Sequence, residues 1–385
     1  MKGKVWAAVA VIGVLFLASC GGGGGGGDDG TAAPTTAPTT GTLGVSLTDA
    51  ATTDYQAIYI TVREVAVHRD GGDWEVVSTP NKTYNLLDLV NGVREELGLA
   101  TLTTGHYTQL RLILADNPDS SLNILSQQHP YGNYFIDEND QSHELKVPSG
   151  FQSGIKIVRG FDINENQTTE LILDFDATKS IVEPGRNGKW LLKPTIKMLS
   201  TTDYSIIEGS VGAPGVLVSA QVYTAAAPNA EDQVTVEAAT VTDVNGRYKL
   251  FVEPGTYTVV GYKDGNLPFH NNTKIIATSG NVFAVNFTLT SAAAGTVTGD
   301  VDISQAGQEQ WATVSIRQNA TVDGNAEQIE VKSINVANGG SFSTGLPVGS
   351  YSAVISSYER TTVVHPFTIN QNATTDIGTI NLLIP

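Results

Sequence analysis

The second half of the chain carries an internal repeat, and this repeat restricts the chain to an all-β fold. The segment PGTYTVV, which begins at Pro254, recurs as VGSYSAV from Val348. In both copies, short runs rich in Val, Thr and Tyr lie between Gly, Pro and Asn turns, which is the pattern of strands joined by hairpins. Because the repeat has the length of a small β-sandwich, we expect two such sandwiches in tandem.

The best-preserved part of the repeat predicts both a turn and a core. Asn245 and Gly246 form a tight hairpin turn, in which we expect a positive φ at Gly246. Tyr248 and the alternating apolar residues after it point between two sheets, and Tyr257 returns opposite them on the next strand. The equivalents in the second copy are Phe342 and Tyr351.

The first half, from about residue 42 to residue 204, is also rich in strand patterns. In GTLGVSLTDA, apolar residues alternate with small or polar ones, as in a half-buried strand. A long run, YQAIYITVREVAVHR, changes phase at Arg63 and Glu64, which indicates a β-bulge. The irregular stretch LLDLVNGVREELG, which ends at Gly98, predicts a short helix or loop instead.

A leader precedes both halves. Lys2 and Lys4 make a short basic start, and the apolar run from Val5 to Leu17 has the length of a signal-peptide core, too short to span a membrane. The leader ends in LASC, which resembles the bacterial lipoprotein signal. That resemblance implies that Cys20 is lipidated and becomes the first mature residue. Because Cys20 is the only cysteine, we expect the exported chain to fold without disulfides.

A tether follows the lipidated cysteine. The glycine run that starts at Gly21 and the segment TAAPTTAPTTG both favour flexible or extended, solvated chain. The residue after Cys20 is glycine and not aspartate, and the similarity to the sorting pattern of Gram-negative lipoproteins implies the outer membrane. We therefore expect a lipid-anchored protein of the bacterial cell envelope, whose Cys20 acyl anchor has the lipid membrane as its partner.

Changes in composition divide the chain into five segments. They are a lipoprotein signal peptide at 1–19, the lipidated Cys20 with a Gly/Pro/Thr-rich linker at 20–41, a β-rich domain at 42–204, a β-sandwich at 205–291, and a second, divergent β-sandwich repeat at 292–385. The predicted architecture is thus a tandem of β-sandwich domains behind a lipoprotein signal and a flexible linker.

Two parts of the chain resemble known families. The blocks GTLGVSLTDA, IYITVREVAVH, LLDLVNG, TTGHYTQLRL, LKVPSGFQSGIKI, LDFDATKSIV and LLKPTIKM are similar to a domain of unknown function found at the front of bacterial lipoproteins. That family has no assigned activity. The repeat in the second half resembles the carboxypeptidase regulatory-like domain, a prealbumin-like sandwich with a carbohydrate-binding-like fold. This resemblance implies a stalk or binding module without a peptidase site.

Several aspartates suggest a cation site built from carboxylate oxygens. Asp49 and Asp54 flank the turn after the first strand, and Asp174 and Asp176 share one face of the strand LDFDAT. No spacing among them matches an EF-hand loop, so we favour turn capping and strand-edge charge. Asp243, which precedes the repeat hairpin, is likewise interpreted as a turn residue. We predict no metal site.

Two other clusters invite a functional interpretation. His143 and Glu144 begin an HExxH-like sequence, but its last position is valine, so no zinc-binding pair forms. Tyr131, Tyr134 and Phe135 lie after a proline in a polar stretch. They could stack on sugar rings or on a partner, although tyrosine and phenylalanine at the start of a strand more often enter the core.

Catalytic and nucleic-acid-binding signatures are absent from the sequence. The chain has no GxSxG elbow, no Walker A loop, no GxGxxG after a strand and no HExxH. With 22 basic and 39 acidic residues, it has no basic face for nucleic acid. We therefore expect a protein that is not an enzyme and that needs no cofactor. The histidines occur singly, at positions 68, 106, 129, 143, 270 and 365.

The sequence favours a cell-envelope lipoprotein with a non-catalytic binding or scaffolding role. Its partner could be a glycan or an envelope protein. The alternative function is a carbohydrate-binding surface protein, and the second alternative is a hydrolase with an unrecognised site in the first domain. No ligand-binding residue can be assigned from the sequence, so Cys20 is the one predicted site.

Overall fold

The computed structural model describes residues 38–50, 55–148, 154–185, 188–200, 204–305 and 310–385. Cys20, the predicted lipid attachment site, lies outside the described residues, as does Asp54. The described chain from Thr39 to Pro385 belongs to a single unit, in which three groups of strands follow one another.

The first group, called here the N-terminal group, contains fourteen described strands and one short α-helix. The strands are β1 (Thr40–Ala50), β2 (Ala57–Arg69), β3 (Trp74–Ser78), β4 (Lys82–Asn85), β5 (Glu95–Thr103), β6 (Gly105–Leu114), β7 (Tyr134–Ile136), β8 (Ser142–Lys146), β9 (Ile155–Ile157), β10 (Phe161–Ile163), β11 (Thr168–Asp176), β12 (Ile181–Glu183), β13 (Trp190–Leu192) and β14 (Ile196–Ser200). The helix is α1 (Ala177–Ser180), and a 3₁₀ turn spans Leu86–Asp88.

The other two groups, the middle sandwich and the C-terminal sandwich, follow in sequence. The middle sandwich holds β15 (Ser205–Ser210), β16 (Leu217–Tyr223), β17 (Val234–Val241), β18 (Arg247–Val252), β19 (Gly255–Tyr262), β20 (Phe269–His270), β21 (Ile275–Ala277) and β22 (Val282–Ala284), with a 3₁₀ turn at Glu231–Gln233. The C-terminal sandwich holds β23 (Ala294–Ile303), β24 (Trp311–Val322), β25 (Asn325–Ala337), β26 (Ser341–Pro347), β27 (Gly349–Ser356), β28 (Val363–Ile369) and β29 (Thr374–Leu382).

Two sheets enclose the core of the N-terminal group. One has the order β14-β11-β1-β5, and the other runs β10-β6-β2-β7-β8-β13-β12, with β3 and β4 on β2 and β9 on β6. Their inward side chains form one apolar core, in which Leu43, Ile60, Leu110 and Phe175 are fully buried. The predicted bulge in β2 is confirmed, because its register with β6 shifts between Val62 and Glu64.

One stretch of the N-terminal group differs from the sequence prediction. The predicted short helix or loop in LLDLVNGVREELG is correct up to Arg94, because the 3₁₀ turn at Leu86–Asp88 is followed by a loop. Asn91 and Gly92, both at positive φ, then reverse the chain. From Glu95 onward the residues are strand, since β5 pairs with β1. Tertiary pairing overrides the weak local pattern here.

The middle and C-terminal sandwiches have the same strand order. The middle sandwich combines β18-β15-β22 with β17-β16-β19-β20, and the C-terminal sandwich combines β26-β23-β29 with β25-β24-β27-β28. In both, the strand that opens the sandwich pairs parallel with the strand that closes it. All-β sandwiches in tandem are therefore the fold class of this protein, as the sequence predicts.

The repeat residues occupy the positions expected for them. Tyr248 and Tyr257 are buried in the core of the middle sandwich, where the Tyr248 hydroxyl donates to the Val285 carbonyl at 2.7 Å. Phe342 and Tyr351 lie in the core of the C-terminal sandwich. The hairpin turn between β17 and β18 places its glycine, residue 246, at φ 71°, so the predicted positive φ is confirmed.

A hydrogen-bonded sheet runs from the N-terminal group into the C-terminal sandwich. The edge strand β12 pairs parallel with β25, with Val182 opposite Asn335 and Glu183 opposite Val336. The buried Asn335 side chain strengthens this junction by donating from Nδ2 to the carbonyls of Lys179 at 2.8 Å and Ile181 at 3.3 Å. The sequence segments 42–204 and 292–385 therefore share one sheet, which the sequence does not indicate.

We expect Tyr248→Ala to lower the free energy of unfolding by about 3 kcal/mol or more, because it removes a large core side chain and leaves the Val285 carbonyl unpaired. Denaturant unfolding of the full chain measures the change. The matched control is Tyr358→Ala, since Tyr358 is 81% exposed. Equal losses for the two variants would contradict the core assignment.

Candidate functional site

Each pair of strand groups is joined by its own apolar cluster. Ile172 and Leu199 of the N-terminal group pack against Phe251 of the middle sandwich. The middle and C-terminal sandwiches meet at Val260, which packs with Ile329 and its neighbours. The third contact, between the N-terminal group and the C-terminal sandwich, consists of Val182, Leu191 and Ala337, with Trp311 packed against them. The three groups also meet at one small cavity, which is lined by Lys179 of the N-terminal group, Gln221 of the middle sandwich and Ser333 of the C-terminal sandwich.

The outer face of the β24–β25 sheet lies at this point of convergence. Ala312, Val314 and Ile316 point into the C-terminal core, so the alternate residues of β24 point outward. Arg317, one of these, is only 2% exposed, and its guanidinium donates to the carbonyls of Ala230 at 2.7 Å and Glu231 at 3.0 Å. Arg317 therefore fixes the 3₁₀ turn of the middle sandwich against the C-terminal sheet.

A second side chain crosses the same interface from the middle sandwich. The Gln221 amide donates from Nε2 to the Glu330 carbonyl at 2.7 Å, and its Oε1 accepts from the Glu330 amide at 2.8 Å. This reciprocal pair of hydrogen bonds imitates the pairing between strands. Gln221 also donates to the Ser219 hydroxyl at 2.8 Å, and Gln221 itself is 2% exposed. The interface between the two sandwiches is consequently polar and fully hydrogen-bonded at these positions.

An open pocket of about 540 Å³, called here the junction pocket, lies where the three groups meet. This volume is within the usual range of about 300 to 1,000 Å³ for small-molecule sites. The N-terminal group contributes one lining residue, the middle sandwich contributes one, and the C-terminal sandwich contributes the remainder. The lining residues are Lys193, Glu231, Gln310, Trp311, Thr313, Ser356, Ser357 and Tyr358.

The aromatic side of the junction pocket is built on strands β24 and β27. Trp311 begins β24, and its carbonyl accepts a hydrogen bond from the Ser357 hydroxyl at 2.8 Å. Tyr358 follows in the turn after β27 and is 81% exposed. Lys193 completes this side, with its ammonium 5.7 Å from the centre of the indole ring and 3.5 Å from the Thr313 hydroxyl. Burial lowers the pKa of Lys193 to about 8.

Two oxygen atoms of the pocket lining are buried without a hydrogen-bond partner among the described residues. They are Oε1 of Gln310 and Oε2 of Glu231. The Glu231 backbone is held by Arg317, so its side chain projects from a fixed position. Buried acceptors left without a donor cost about 1 to 3 kcal/mol each and point to a function. The junction pocket therefore combines an aromatic surface with hydrogen-bond acceptors that need donors.

A separate acidic cleft of about 200 Å³ lies between the N-terminal group and the middle sandwich. It contains Asp174 and Asp176, which the sequence places on one strand face, together with Lys197 and Glu237. Lys197 forms an ion pair with Glu237 across the interface. Nζ of Lys179 lies 4.0 Å from Oδ2 of Asp176. Burial, helped by the charge of Asp176, raises the pKa of Asp174 to about 7. Burial also raises the pKa of Asp176.

Other singled-out polar residues have structural partners. The Asp49 carboxylate accepts from the Ala177 amide at 3.1 Å, and Asp176 caps α1 by accepting from the Lys179 amide at 2.9 Å. Asp243 accepts from two amides of its own turn, as the sequence predicts. His143 donates from Nε2 to the Asp137 carboxylate at 2.9 Å. No cluster of three metal-ligating side chains occurs in the described ranges.

The aromatic residues after the proline divide between the core and the surface. Tyr134 and Phe135 are buried in β7, where Tyr134 stacks on Tyr59 with ring centres 4.8 Å apart. Tyr131 is 38% exposed. Tyr134 and Phe135 are therefore core residues, as the sequence favours. The three aromatic residues do not form a common binding surface.

The junction pocket has no signature in the sequence. Its residues are far apart in the chain, and none belongs to a recognisable motif. One signal was available, since Trp311 occupies an outward position of a strand whose alternate residues are apolar, and an outward tryptophan is unusual there. No helix in the described part of the chain has the length and apolar character needed to cross a membrane.

Comparison with known proteins identifies one domain. Residues 40–194 match the family described as a domain of unknown function (DUF4382). This match agrees with the resemblance drawn from the sequence blocks of the first half. No curated protein matches the chain. The resemblance of residues 205–385 to the carboxypeptidase regulatory-like domain stays a prediction.

Solved structures with partial similarity include a Bacillus anthracis protein and two pilins. The Bacillus anthracis TIE protein shares 14% identity with a TM-score of 0.19, over 89% of this chain and 51% of that one. The Streptococcal ancillary pilin shares 12% identity with a TM-score of 0.19, and the match covers 90% of this chain and 99% of the pilin. The shaft pilin SpaA from Lactobacillus rhamnosus GG shares 10% identity with a TM-score of 0.18, and the match covers 48% of this chain and 98% of the pilin. The chain spans about half the length of the first of these. Similarities this low carry no functional argument.

The acidic cleft generates a pH-dependent prediction. Folded Asp174 keeps its proton up to about pH 7, whereas an unfolded aspartate loses it near pH 4, so the folded chain binds more protons in this window. The contribution of Asp174 to stability therefore falls as the pH rises from about 4 to about 7. We expect the melting temperature of Asp174→Asn, relative to that of the wild type, to increase as the pH rises over this range.

Thermal unfolding at about pH 4.5 and pH 7.5 measures this difference. Asp73→Asn, at an exposed turn position, is the matched control. A difference between Asp174→Asn and the wild type that is the same at both pH values would show that Asp174 ionises normally in the folded protein.

Proposed function

We propose that this protein is a lipid-anchored scaffold of the bacterial cell envelope with a non-catalytic binding role. A scaffold must hold its parts in a fixed relation, whereas domains in one chain usually move relative to each other unless their interface is extensive. The observation that supports this role most directly is the pairing of β12 with β25, which continues one sheet across two strand groups.

Buried polar contacts support the same role. Asn335 bonds the N-terminal group to the C-terminal sandwich, and Arg317 and Gln221 bond the two sandwiches to each other. All three side chains are at most 3% exposed. Breaking such an interface would leave buried donors and acceptors unsatisfied, which is costly. The strand groups are therefore expected to move together as one rigid body.

The membrane location rests on the leader and on Cys20. An apolar run of signal-peptide length, a lipobox-like LASC and a Gly/Pro/Thr-rich tether precede the first strand. Such a tether would hold the folded unit clear of a lipid surface. The outer membrane is the proposed location, because Gly21 and not aspartate follows the cysteine.

We expect Cys20→Ser to abolish membrane attachment, because a multiply acylated cysteine anchors stably whereas the leader core is too short to span the bilayer. Fractionation of cells, with a high-salt wash of the membranes, measures the distribution of the chain. Ser19→Thr, which keeps the cysteine, is the control and stays with the membrane fraction. Full retention of Cys20→Ser after the wash would refute the anchor.

The binding role is tested in cells that carry the intact lipoprotein. Chemical crosslinking followed by purification identifies the envelope components that contact the chain, and the Cys20→Ser chain shows which contacts require the anchor. Recovery of the same partners by both chains would contradict a role that depends on lipid attachment. A panel of hydrolase substrates tests the non-catalytic part, and turnover of any substrate would overturn it.

A further inference from the structure

We propose that the junction pocket binds a neutral saccharide, with the sugar ring against Trp311 and Tyr358 and its hydroxyl groups donating to Gln310 and Glu231. This inference deepens the proposed function and rests on its non-catalytic binding role. It concerns the ligand class of one pocket and does not depend on the lipid anchor.

The unpartnered acceptors indicate what the ligand must supply. Oε1 of Gln310 and Oε2 of Glu231 are buried and lack donors among the described residues, although both residues line the same pocket. Neither atom is open to solvent, so each side chain must turn toward the pocket before a ligand hydroxyl can donate to it. Ser356 and Ser357 place further hydroxyl groups in the lining. The Ser357 hydroxyl already donates to the Trp311 carbonyl and can accept from a ligand, whereas the Ser356 hydroxyl can donate or accept. The pocket is thus suited to a ligand with many hydroxyl groups.

The aromatic residues indicate the shape of the ligand. Trp311 packs against the cluster of Val182, Leu191 and Ala337, which holds the indole in place at the pocket wall. Tyr358 remains 81% exposed although it is a large aromatic residue. An aromatic ring with an apolar face suits the C–H face of a sugar ring, and its polar edge suits the surrounding water. A packed aromatic residue such as Trp311 often contributes much of the binding energy.

The charges of the lining favour a neutral ligand. The pocket contains one ammonium group, that of Lys193, and one carboxylate, that of Glu231. An anionic ligand would be attracted by Lys193 and repelled by Glu231. A cationic ligand would be attracted by Glu231 and repelled by Lys193. The Lys193 ammonium is already engaged with the Trp311 ring and the Thr313 hydroxyl. A ligand without net charge adds no further charge to the pocket, and its hydroxyl groups are donors for the Glu231 carboxylate.

An array of neutral, anionic and amine-bearing glycans, probed with the detergent-solubilised full chain, tests the proposal. We expect binding to neutral glycans, followed by calorimetric titration of the strongest one. Tyr358→Ala and Trp311→Ala are expected to weaken this binding about tenfold or more, because each removes an aromatic contact surface. Tyr131→Ala, which changes a partly exposed tyrosine distant in sequence and absent from the pocket lining, should leave the affinity unchanged.

A fourth variant separates a binding role from a structural role. Gln310→Met keeps the length of the side chain but removes the unpartnered amide oxygen. If this atom serves a ligand, the variant loses about tenfold in affinity without a fall in melting temperature. If the atom serves the fold, the melting temperature falls, and this outcome would count against the proposal.

Three outcomes would overturn the saccharide assignment. They are the absence of binding to every neutral glycan, binding restricted to anionic or amine-bearing glycans, and neutral-glycan binding that Tyr358→Ala and Trp311→Ala leave unchanged. The fractionation and crosslinking experiments report on the anchor and the envelope partners separately. Glycan binding can therefore fail while the scaffold role stands, or persist in a chain that proves to be unanchored.

Discussion

The burial of both faces of the β24–β25 sheet is the constraint on which the arrangement of the three strand groups depends. The inner face forms the C-terminal core, as in any sandwich. The outer face would normally meet water, but here it is covered by the other two groups. Covering a polar face is favourable only when each polar group finds a partner. Arg317 and Asn335 meet this condition through backbone carbonyls of the neighbouring groups.

This polar interface also determines the geometry of the junction pocket. Arg317 holds the backbone of Glu231, and the strand pairing at Asn335 holds α1 and β12 close to the start of β24. The backbone of Lys193 is fixed in turn by a hydrogen bond to the Ser180 carbonyl at 2.7 Å. The pocket lining is therefore set by backbone contacts from three parts of the chain. A shift of any group would change the pocket, so its shape depends on the whole unit.

Much of the fold could be predicted from the sequence, because the relevant signals are local. Alternation of apolar residues and Asn-Gly turns determine strands and hairpins within a few residues, which is why the core positions of Tyr248 and Phe342 could be derived. The contacts between groups are different. The strand β12 is three residues long and has no periodicity to read, and the burial of Arg317 depends on a turn that lies far away in sequence. The junction pocket could not be predicted for the same reason, since it forms only when the three groups pack together.

The two repeat copies use the same strand position to contact each other. Gln221 pairs with Thr258 and Arg317 pairs with Ser352, at matching places in PGTYTVV and VGSYSAV. Each then reaches into the opposite copy, Gln221 toward Glu330 and Arg317 toward the 3₁₀ turn. The two contacts end on different elements, a strand for Gln221 and a turn for Arg317, so a two-fold axis does not relate the copies. The duplicated strand position has thus acquired a different contact in each copy, and these two contacts give the pair of sandwiches one defined orientation.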